Sequence, residues 1–255
     1  MLKPGIVATL VACALALGLA PLAQAEETLS ITEAGFSPDL TGVPANAFGR
    51  GIIGSTTGPV PSPITHVNVY GPAGTTLNLE GTGVCSAEKL KNMGPEACPA
   101  DSKAGFGGGE GTYEIGGEIV NEPYTLDFFL ADNKPGHISV LIFLKGSTPV
   151  SIELVFTATV VTGPAPYGLG FSLNVPLIKV LPEASDASAK TAYITLGAKN
   201  VAYYKKIHGK RVLEHVKGII TPKTCKGSWP VETQITFEDG STVTAKRSVP
   251  CRKSK

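Results

Sequence analysis

The stretch "YTLDFFLADNKPGHISVLIFLK", residues 124–145, holds two apolar runs separated by a short polar segment. The runs YTLDFFLA (124–131) and HISVLIFLK (137–145) are typical of strands. Between them, DNKPG (132–136) combines Asn and Gly, which tolerate left-handed dihedral angles, with Pro, which presets one angle of a turn. The stretch therefore predicts two antiparallel strands joined by a turn.

The next segment, VSIELVFTA (150–158), alternates between apolar and polar residues, as a half-buried strand does. One face would carry Val150, Ile152, Leu154 and Phe156, and the other Ser151, Glu153 and Thr157. About a dozen short runs of this kind follow one another, and nothing supplies the helical crossovers that a parallel sheet needs. We expect an all-β fold, an antiparallel β-sandwich of the jelly-roll or immunoglobulin-like type, with one short disulfide-closed helix.

The first 25 residues have the pattern of a secretory signal peptide. A basic start with Lys3 precedes an apolar run from Ile6 to Leu22 and an Ala-Gln-Ala site, which predicts cleavage after Ala25. The residues Leu-Val-Ala-Cys that end at Cys13 resemble a bacterial lipoprotein box, so lipid attachment through Cys13 is the alternative. No later segment is apolar for long enough to span a bilayer. We expect a secreted or cell-surface protein.

The remaining chain is predicted to contain two parts. Residues 26–63 are rich in Gly, Pro, Thr and Ser toward their end and are predicted to be an extended arm or edge segment. Residues 64–255 are predicted to form the β-sandwich domain, because their length suits one large all-β unit.

The charge balance limits the partners. Of 22 basic and 21 acidic residues, cleavage would remove only Lys3, which leaves a net charge of zero. A neutral chain with 17% charged residues is not built as a general polyanion binder, so no nucleic-acid partner is expected.

Four cysteines would remain after cleavage, an even number that fits two disulfides in an oxidising compartment. They are Cys85, Cys98, Cys225 and Cys251. Zinc is disfavoured because the short spacing of zinc-binding cysteine pairs is missing, and no metal site is expected. Four cysteines allow three connectivities. Local structure favours joining each cysteine to its neighbour in the chain.

The segment CSAEKLKNMGPEAC (85–98) predicts the helix. Ser86 is a good N-cap, an acid lies in the first turn, and Gly94 followed by Pro95 stops the helix. Two helical turns would bring the chain back toward its start. A disulfide between the two ends of the segment would close a loop of about 14 residues, worth roughly 3 kcal/mol.

The last hairpin can be predicted in register. A two-residue Asp-Gly loop would put Val243 on the opposite face from Ile235, whereas a three-residue loop at 238–240 pairs the two residues. The longer loop also places Gly240 at the left-handed position that such loops favour. The same register predicts further neighbours: Thr233 with Ala245, Trp229 with Val249, and Cys225 with Cys251.

The glycine cluster in CPADSKAGFGGGEG (98–111) does not match a nucleotide-binding motif. The pattern G-x-G-x-x-G fails because Glu110 stands where the third glycine belongs, and G-K-[ST] does not occur. We interpret the cluster as a flexible lead into a strand at 111–120, with close backbone packing. No cofactor is expected.

Catalytic signatures are weak. The chain has neither G-x-S-x-G nor H-E-x-x-H, although His208 and His215 could meet across a strand. Glu153 and Asp127 lie in the middle of predicted strands, where a carboxylate pair could hydrolyse a glycoside. The alternative is that each acid faces solvent. No catalytic residue is assigned.

One basic and aromatic cluster occurs, YYKKIHGKR (203–211). Its candidate contacts to an anionic polymer or a cell-wall glycan are Tyr203, Tyr204, Lys205, Lys206, Lys210 and Arg211. The preferred interpretation is a charged hairpin with its turn at HGK, whose lysines protect an edge from aggregation.

Two segments resemble a family of secreted actinobacterial β-rich proteins that has no assigned activity. The first segment carries Cys85, Gly94, Pro95, Cys98 and Pro99. The second carries Cys225, Trp229, Pro230, Asp239, Gly240, Pro250 and Cys251. The resemblance implies an exported β domain and provides no catalytic residues.

We therefore expect an exported, non-enzymatic structural or binding module at the bacterial cell surface. Its expected partner is a cell-wall glycan or another surface protein. The alternatives are a secreted carbohydrate-active hydrolase that uses a carboxylate pair and a carbohydrate-binding module with exposed aromatic residues.

Overall fold

A computed structural model describes residues 27–134, 136–197 and 202–254. The predicted signal peptide and Cys13 lie outside the described residues. Within them the chain is almost entirely β-structure, so the all-β prediction is confirmed. Among these residues, no helix has the length and apolar character that crossing a membrane would require.

The strands of the first half are β1 (Glu27–Ser37), β2 (Pro44–Ser55), β3 (Ile64–Pro72), β4 (Thr76–Asn78), β5 (Lys103–Ile115), β6 (Glu118–Lys134) and β7 (His137–Gly146). Those of the second half are β8 (Ile152–Thr162), β9 (Tyr167–Asn174), β10 (Ser188–Leu196), β11 (Ala202–Ile207), β12 (Lys210–His215), β13 (Gly218–Ile220), β14 (Ser228–Phe237) and β15 (Thr242–Pro250). The helix α1 (Ala87–Met93) and two single 3₁₀ turns (Pro95–Ala97 and Ala100–Ser102) lie between β4 and β5.

The long strands form one continuous antiparallel sheet. Its order is β1-β2-β10-β5-β6-β7-β8-β9-β3-β14-β15, and β13 and β4 continue beside the start of β2. The hydrogen bonding passes through these thirteen strands without a break, whereas β11 and β12 pair only with each other among the described strands. The sheet curls until β15 lies beside β1, where Arg247 donates a hydrogen bond to the carbonyl oxygen of Ile31. We call this arrangement the rolled sheet.

The stretch 124–145 forms the hairpin of β6 and β7, with Leu126 opposite Leu144. Both faces of β7 are apolar because both are covered. Val140 and Ile142 belong to the central core cluster, whereas Leu141 packs against the segment that contains α1. The alternation predicted for 150–158 continues into β8, where Glu153 faces outward.

The prediction of an extended arm or edge segment at 26–63 fits β1, whose ladder of backbone hydrogen bonds is with β2 alone among the described strands, but not β2. Residues 27–37 and 44–55 form β1 and β2, and β2 is an interior strand that pairs with β1 and β10. Composition was misleading because the glycines of β2 do not break the strand. Gly49 and Gly51 instead leave space on its inner face.

The disulfide-closed helix forms as predicted. The Ser86 side chain accepts a hydrogen bond from the Lys89 N–H at 3.2 Å, and Gly94 ends the helix with a φ of 77°. Cys85 is joined to Cys98, the pairing that the local argument favoured. Leu90 is fully buried beneath the helix and packs in one cluster with the outward-facing Phe129, Leu141 and Phe143. The disulfide-closed segment 85–98 therefore covers the outer face of the rolled sheet at β6 and β7.

The terminal hairpin has the predicted register. Ile235 pairs with Val243, Thr233 with Ala245, and Trp229 with Val249. The loop is closed by a hydrogen bond from the Gly240 N–H to the Phe237 carbonyl, and Gly240 has a φ of 83°. Cys225 is joined to Cys251 at the open end of the hairpin.

Candidate functional site

The rolled sheet surrounds a partly open cavity of about 400 Å³. Alternate residues of its long strands point inward, so each strand contributes apolar side chains to the lining. Representative lining residues are Leu29, Ile53, Phe128, Ile142, Phe156 and Ile235. The volume lies within the range of about 300–1,000 Å³ that is usual for small-molecule sites.

Several positions of the cavity lining carry small residues, which leave the space open. Gly49 and Gly51 on β2, Ala192 on β10 and Ala158 on β8 all line it. At Gly49 the nearest atom to an added Cβ would be the Glu33 carbonyl oxygen at 3.8 Å, an ordinary van der Waals contact. A Cβ therefore fits at this position, and a longer side chain there would extend into the cavity that the glycine lines.

One acid, Glu122 on β6, borders the apolar cavity. Its side chain is 5% exposed, and neither carboxyl oxygen has a hydrogen-bond partner among the described residues. Burial raises the pKa of Glu122, and the nearby backbone of Thr148 offsets part of that rise without forming a hydrogen bond of good geometry. The carboxyl lies against Gly146, where an added Cβ would come within 2.5 Å of Oε1.

Tyr113 on β5 lies on the cavity lining near this acid. It is almost fully buried, and burial together with the negative charge of Glu122 raises the pKa of the Tyr113 hydroxyl. Burial of a carboxyl without a protein donor is costly, because the group has lost its water without gaining a partner. This end of the cavity therefore offers a hydrogen-bond acceptor that the described protein groups leave unused.

The glycine cluster lies within β5 and explains the conformation of a second tyrosine. The Tyr124 ring crosses β5 at Gly109, and its hydroxyl donates a 2.8 Å hydrogen bond to the Thr191 carbonyl on β10. A Cβ at Gly109 would overlap that carbonyl and lie 2.6 Å from the Tyr124 hydroxyl. Burial, and then the nearby Tyr193, raise the pKa of Tyr124.

The interpretation of these glycines as a flexible lead is therefore corrected. Strand β5 begins at Lys103, so the cluster belongs to the strand itself, and the close backbone packing is found there. The predicted strand at 111–120 is interrupted at Gly116 and Gly117, where the chain turns from β5 into β6.

Comparison with family models, with curated proteins and with solved structures finds no significant match to this chain.

The basic cluster forms the separate two-stranded sheet β11–β12, with a two-residue turn at His208 and Gly209. The structure brings all six predicted residues together on this hairpin. Arg211 lies over the Tyr204 ring at 3.9 Å from its centroid, and Lys205 forms an ion pair with Glu80. The hydrogen bond to Glu80 raises the pKa of Lys205.

Trp229, Tyr203 and Tyr204 do not form the exposed aromatic platform that a carbohydrate-binding module would need. Trp229 is only 4% exposed and packs edge-on against Phe36 at 5.4 Å. The Tyr203 ring lies against the backbone at Gly81, which has no room for a side chain there. Tyr204 is 59% exposed, but Arg211 covers one of its faces.

The mid-strand acids each contact a lysine on the outer face. Glu153 lies 2.7 Å from the Lys145 ammonium, and Asp127 lies 2.8 Å from that of Lys103. The two acids are thus engaged separately, and the structure does not bring them together as a carboxylate pair with a common cleft.

The histidines give no metal site among the described residues. His208 lies at the turn of the β11–β12 hairpin, whereas His215 pairs with Ala202 at the other end. The prediction that these two histidines could meet across a strand is therefore wrong, because the hairpin register separates them by its full length.

Sequence reasoning missed Glu122, Tyr113 and Tyr124. The signal was present in β6, where the alternation of Phe128 and Leu126 extends backward to Tyr124 and Glu122. That alternation places an acid on the inner face of a strand, which is unusual enough to mark a site.

Proposed function

We propose that this protein is an exported, non-enzymatic binding module that holds an apolar small molecule inside its rolled sheet. The observation that supports the proposal is the cavity of about 400 Å³ with its almost entirely apolar lining. Apolar burial contributes roughly 25 cal/mol for each Å² removed from water, so an apolar ligand would gain affinity from most of its surface.

The wall composition also supports a binding role. A core that serves stability alone is packed to a density near 0.74 with few voids larger than a water molecule. Here Gly49 and Gly51 occupy the middle of a strand, where glycine costs roughly 0.5–1 kcal/mol relative to alanine. A bound ligand explains why these glycines keep the space open at that cost, whereas a gain in stability does not.

The proposed location is outside the cytoplasm, at the bacterial cell surface. The signal-peptide pattern of residues 1–25 supports export, and the two disulfides are compatible with an oxidising compartment. The resemblance to secreted actinobacterial proteins adds to this part of the proposal. The β11–β12 hairpin, which carries exposed Lys206 and Lys210, is the proposed contact to a cell-wall glycan or surface protein.

The test uses the mature chain with both disulfides intact and a neutral apolar fluorophore, N-phenyl-1-naphthylamine. We expect saturable binding with one site, measured by fluorescence titration, and retention of an apolar molecule in native mass spectrometry. Gly49→Leu should reduce binding at least about tenfold by filling the cavity, because an added side chain there projects inward.

The matched control is Ser30→Leu, which places the same leucine side chain on the exposed face of the neighbouring strand β1. This variant should bind the fluorophore as the parent protein does. Absence of saturable binding to the parent, or equal loss in both variants, would contradict the proposal.

A further inference from the structure

We infer that Glu122 is a polar anchor inside the cavity, and that the ligand is an amphiphile whose head donates a hydrogen bond, such as an alkyl alcohol or amine. This inference rests on the proposed function and specifies the chemical class of the ligand. It starts from an acid that is 5% exposed, borders the cavity, and has no hydrogen-bond partner for either carboxyl oxygen among the described residues.

The first step concerns the charge of the side chains that border the cavity. The charged side chains that border the cavity in the described part of the chain are Glu122 and Arg50. Arg50 is exposed and lies over the Tyr193 ring at 5.8 Å from its centroid, so it remains in contact with solvent. The buried end of the cavity is therefore an acceptor site without a compensating cation, which disfavours an anionic head.

The second step concerns what the anchor can accept. At a pH above its raised pKa, the Glu122 carboxyl is ionised and accepts hydrogen bonds without donating any, so the complementary group must be a donor. Hydrogen bonds to charged groups contribute more than neutral ones, and leaving a buried acceptor unpaired carries a penalty that a donor would remove. An alcohol or ammonium head satisfies both conditions, whereas a carboxylate head would place two acceptors together.

The third step concerns position. Glu122 pairs with Gly111 on β5 at one end of the cavity, and Gly146 on β7 leaves room for its carboxyl. From there, the inner face of β6 continues through Leu126 and Phe128. A ligand held by its head at Glu122 would lay its apolar chain along these residues.

The experiment measures displacement of N-phenyl-1-naphthylamine at neutral pH by four probes with equal chains: decane, decanol, decylamine and decanoate. We expect decanol and decylamine to bind at least about tenfold more tightly than decane, and decanoate to bind no better than decane. Equal binding of decanoate and decanol would overturn the inference.

Two variants distinguish the contribution of the ligand's head group to binding from that of its apolar tail. Glu122→Gln retains an acceptor, so decanol should keep its advantage while decylamine loses about tenfold. Glu122→Leu removes the acceptor, so both should fall to the level of decane, whose own binding persists. An unchanged head preference in Glu122→Leu would overturn the anchor and leave the proposed function intact, whereas failure of every probe, decane included, would contradict the proposed function itself.

Discussion

The Nη1 atom of Arg247 lies 2.7 Å from the carbonyl oxygen of Ile31, and this hydrogen bond joins the last strand of the rolled sheet to the first. No ladder of backbone hydrogen bonds connects β15 to β1 in the described residues, in contrast to the other neighbouring pairs of the roll. The junction between β1 and β15, which we call the seam, is therefore the place where opening the sheet costs the least free energy.

Arg247→Ala should accelerate ligand exchange through this seam. Loss of one hydrogen bond with a charged donor at an exposed position should cost about 1 kcal/mol of stability and increase the dissociation rate several-fold. Stopped-flow displacement of the bound fluorophore measures this rate. Ser248→Ala, an exposed neighbour on β15, is the control and should leave the rate unchanged. Identical rates in both variants would argue against a lateral opening at the seam.

The two disulfides should have similar effects on stability but different effects on the core. In the chain-entropy model, opening Cys225–Cys251 costs about 3–4 kcal/mol and opening Cys85–Cys98 about 3 kcal/mol. Only the first should alter the fluorescence of Trp229, because its indole N–H donates a 2.8 Å hydrogen bond to the carbonyl of Thr224, next to Cys225.

Double serine variants of each pair test this difference by chemical denaturation and by Trp229 emission. A shift of the folded-state emission in the Cys85–Cys98 variant as large as in the other would contradict the assignment, since that disulfide lies in a different packing cluster from the tryptophan.

Local features of the chain were predictable and the enclosure of the cavity was not. The register of the terminal hairpin follows from the need to place Ile235 and Val243 on the same face of the sheet on either side of one loop. The helix follows from the N-cap Ser86 and from Gly94 at its end. Both signals lie within short stretches of sequence. The roll depends on β1 reaching β15, a contact between residues over 200 positions apart, which no local pattern encodes.

Gly109→Ala should destabilise the protein severely. The added Cβ would overlap the Thr191 carbonyl and crowd the Tyr124 hydroxyl, so the strand or the tyrosine would have to move. We expect a loss of about 3 kcal/mol or more in the free energy of unfolding. The matched variant Gly49→Ala meets only an ordinary contact and should be neutral or stabilising by up to about 1 kcal/mol. Comparable effects of the two variants in urea denaturation would contradict this account of β5.

The β11–β12 hairpin should control association with anionic cell-wall material. Lys206→Glu combined with Lys210→Glu reverses two exposed charges and should weaken binding to isolated cell walls, with a loss that diminishes at high salt because the charges are screened. Lys89→Glu combined with Lys91→Glu makes the same charge change on α1 and serves as the control. Equal weakening by both pairs would indicate a response to net charge alone.

Glu122 should make the folded protein less stable as pH rises. Because burial raises the pKa of Glu122 in the folded state, the native protein keeps a proton that the unfolded chain has already released. Stability is therefore greatest below the ordinary glutamate pKa and falls as pH rises from there through the raised value. The titratable group beside it is Tyr113, whose pKa is also raised and which stays neutral over this range.

Glu122→Gln should remove this pH dependence and stabilise the ligand-free protein by about 1 kcal/mol or more above neutral pH, because the amide cannot become a buried charge. Urea denaturation across pH measures the effect. Glu153→Gln is the control, since Glu153 is half exposed and paired with Lys145, and its change should stay within about 1 kcal/mol. The contrary result would be that the stability of the parent protein, compared with that of Glu122→Gln, does not decline as pH rises. It would show that the Glu122 carboxyl accepts a hydrogen bond from a stabilising donor and is not an unused acceptor.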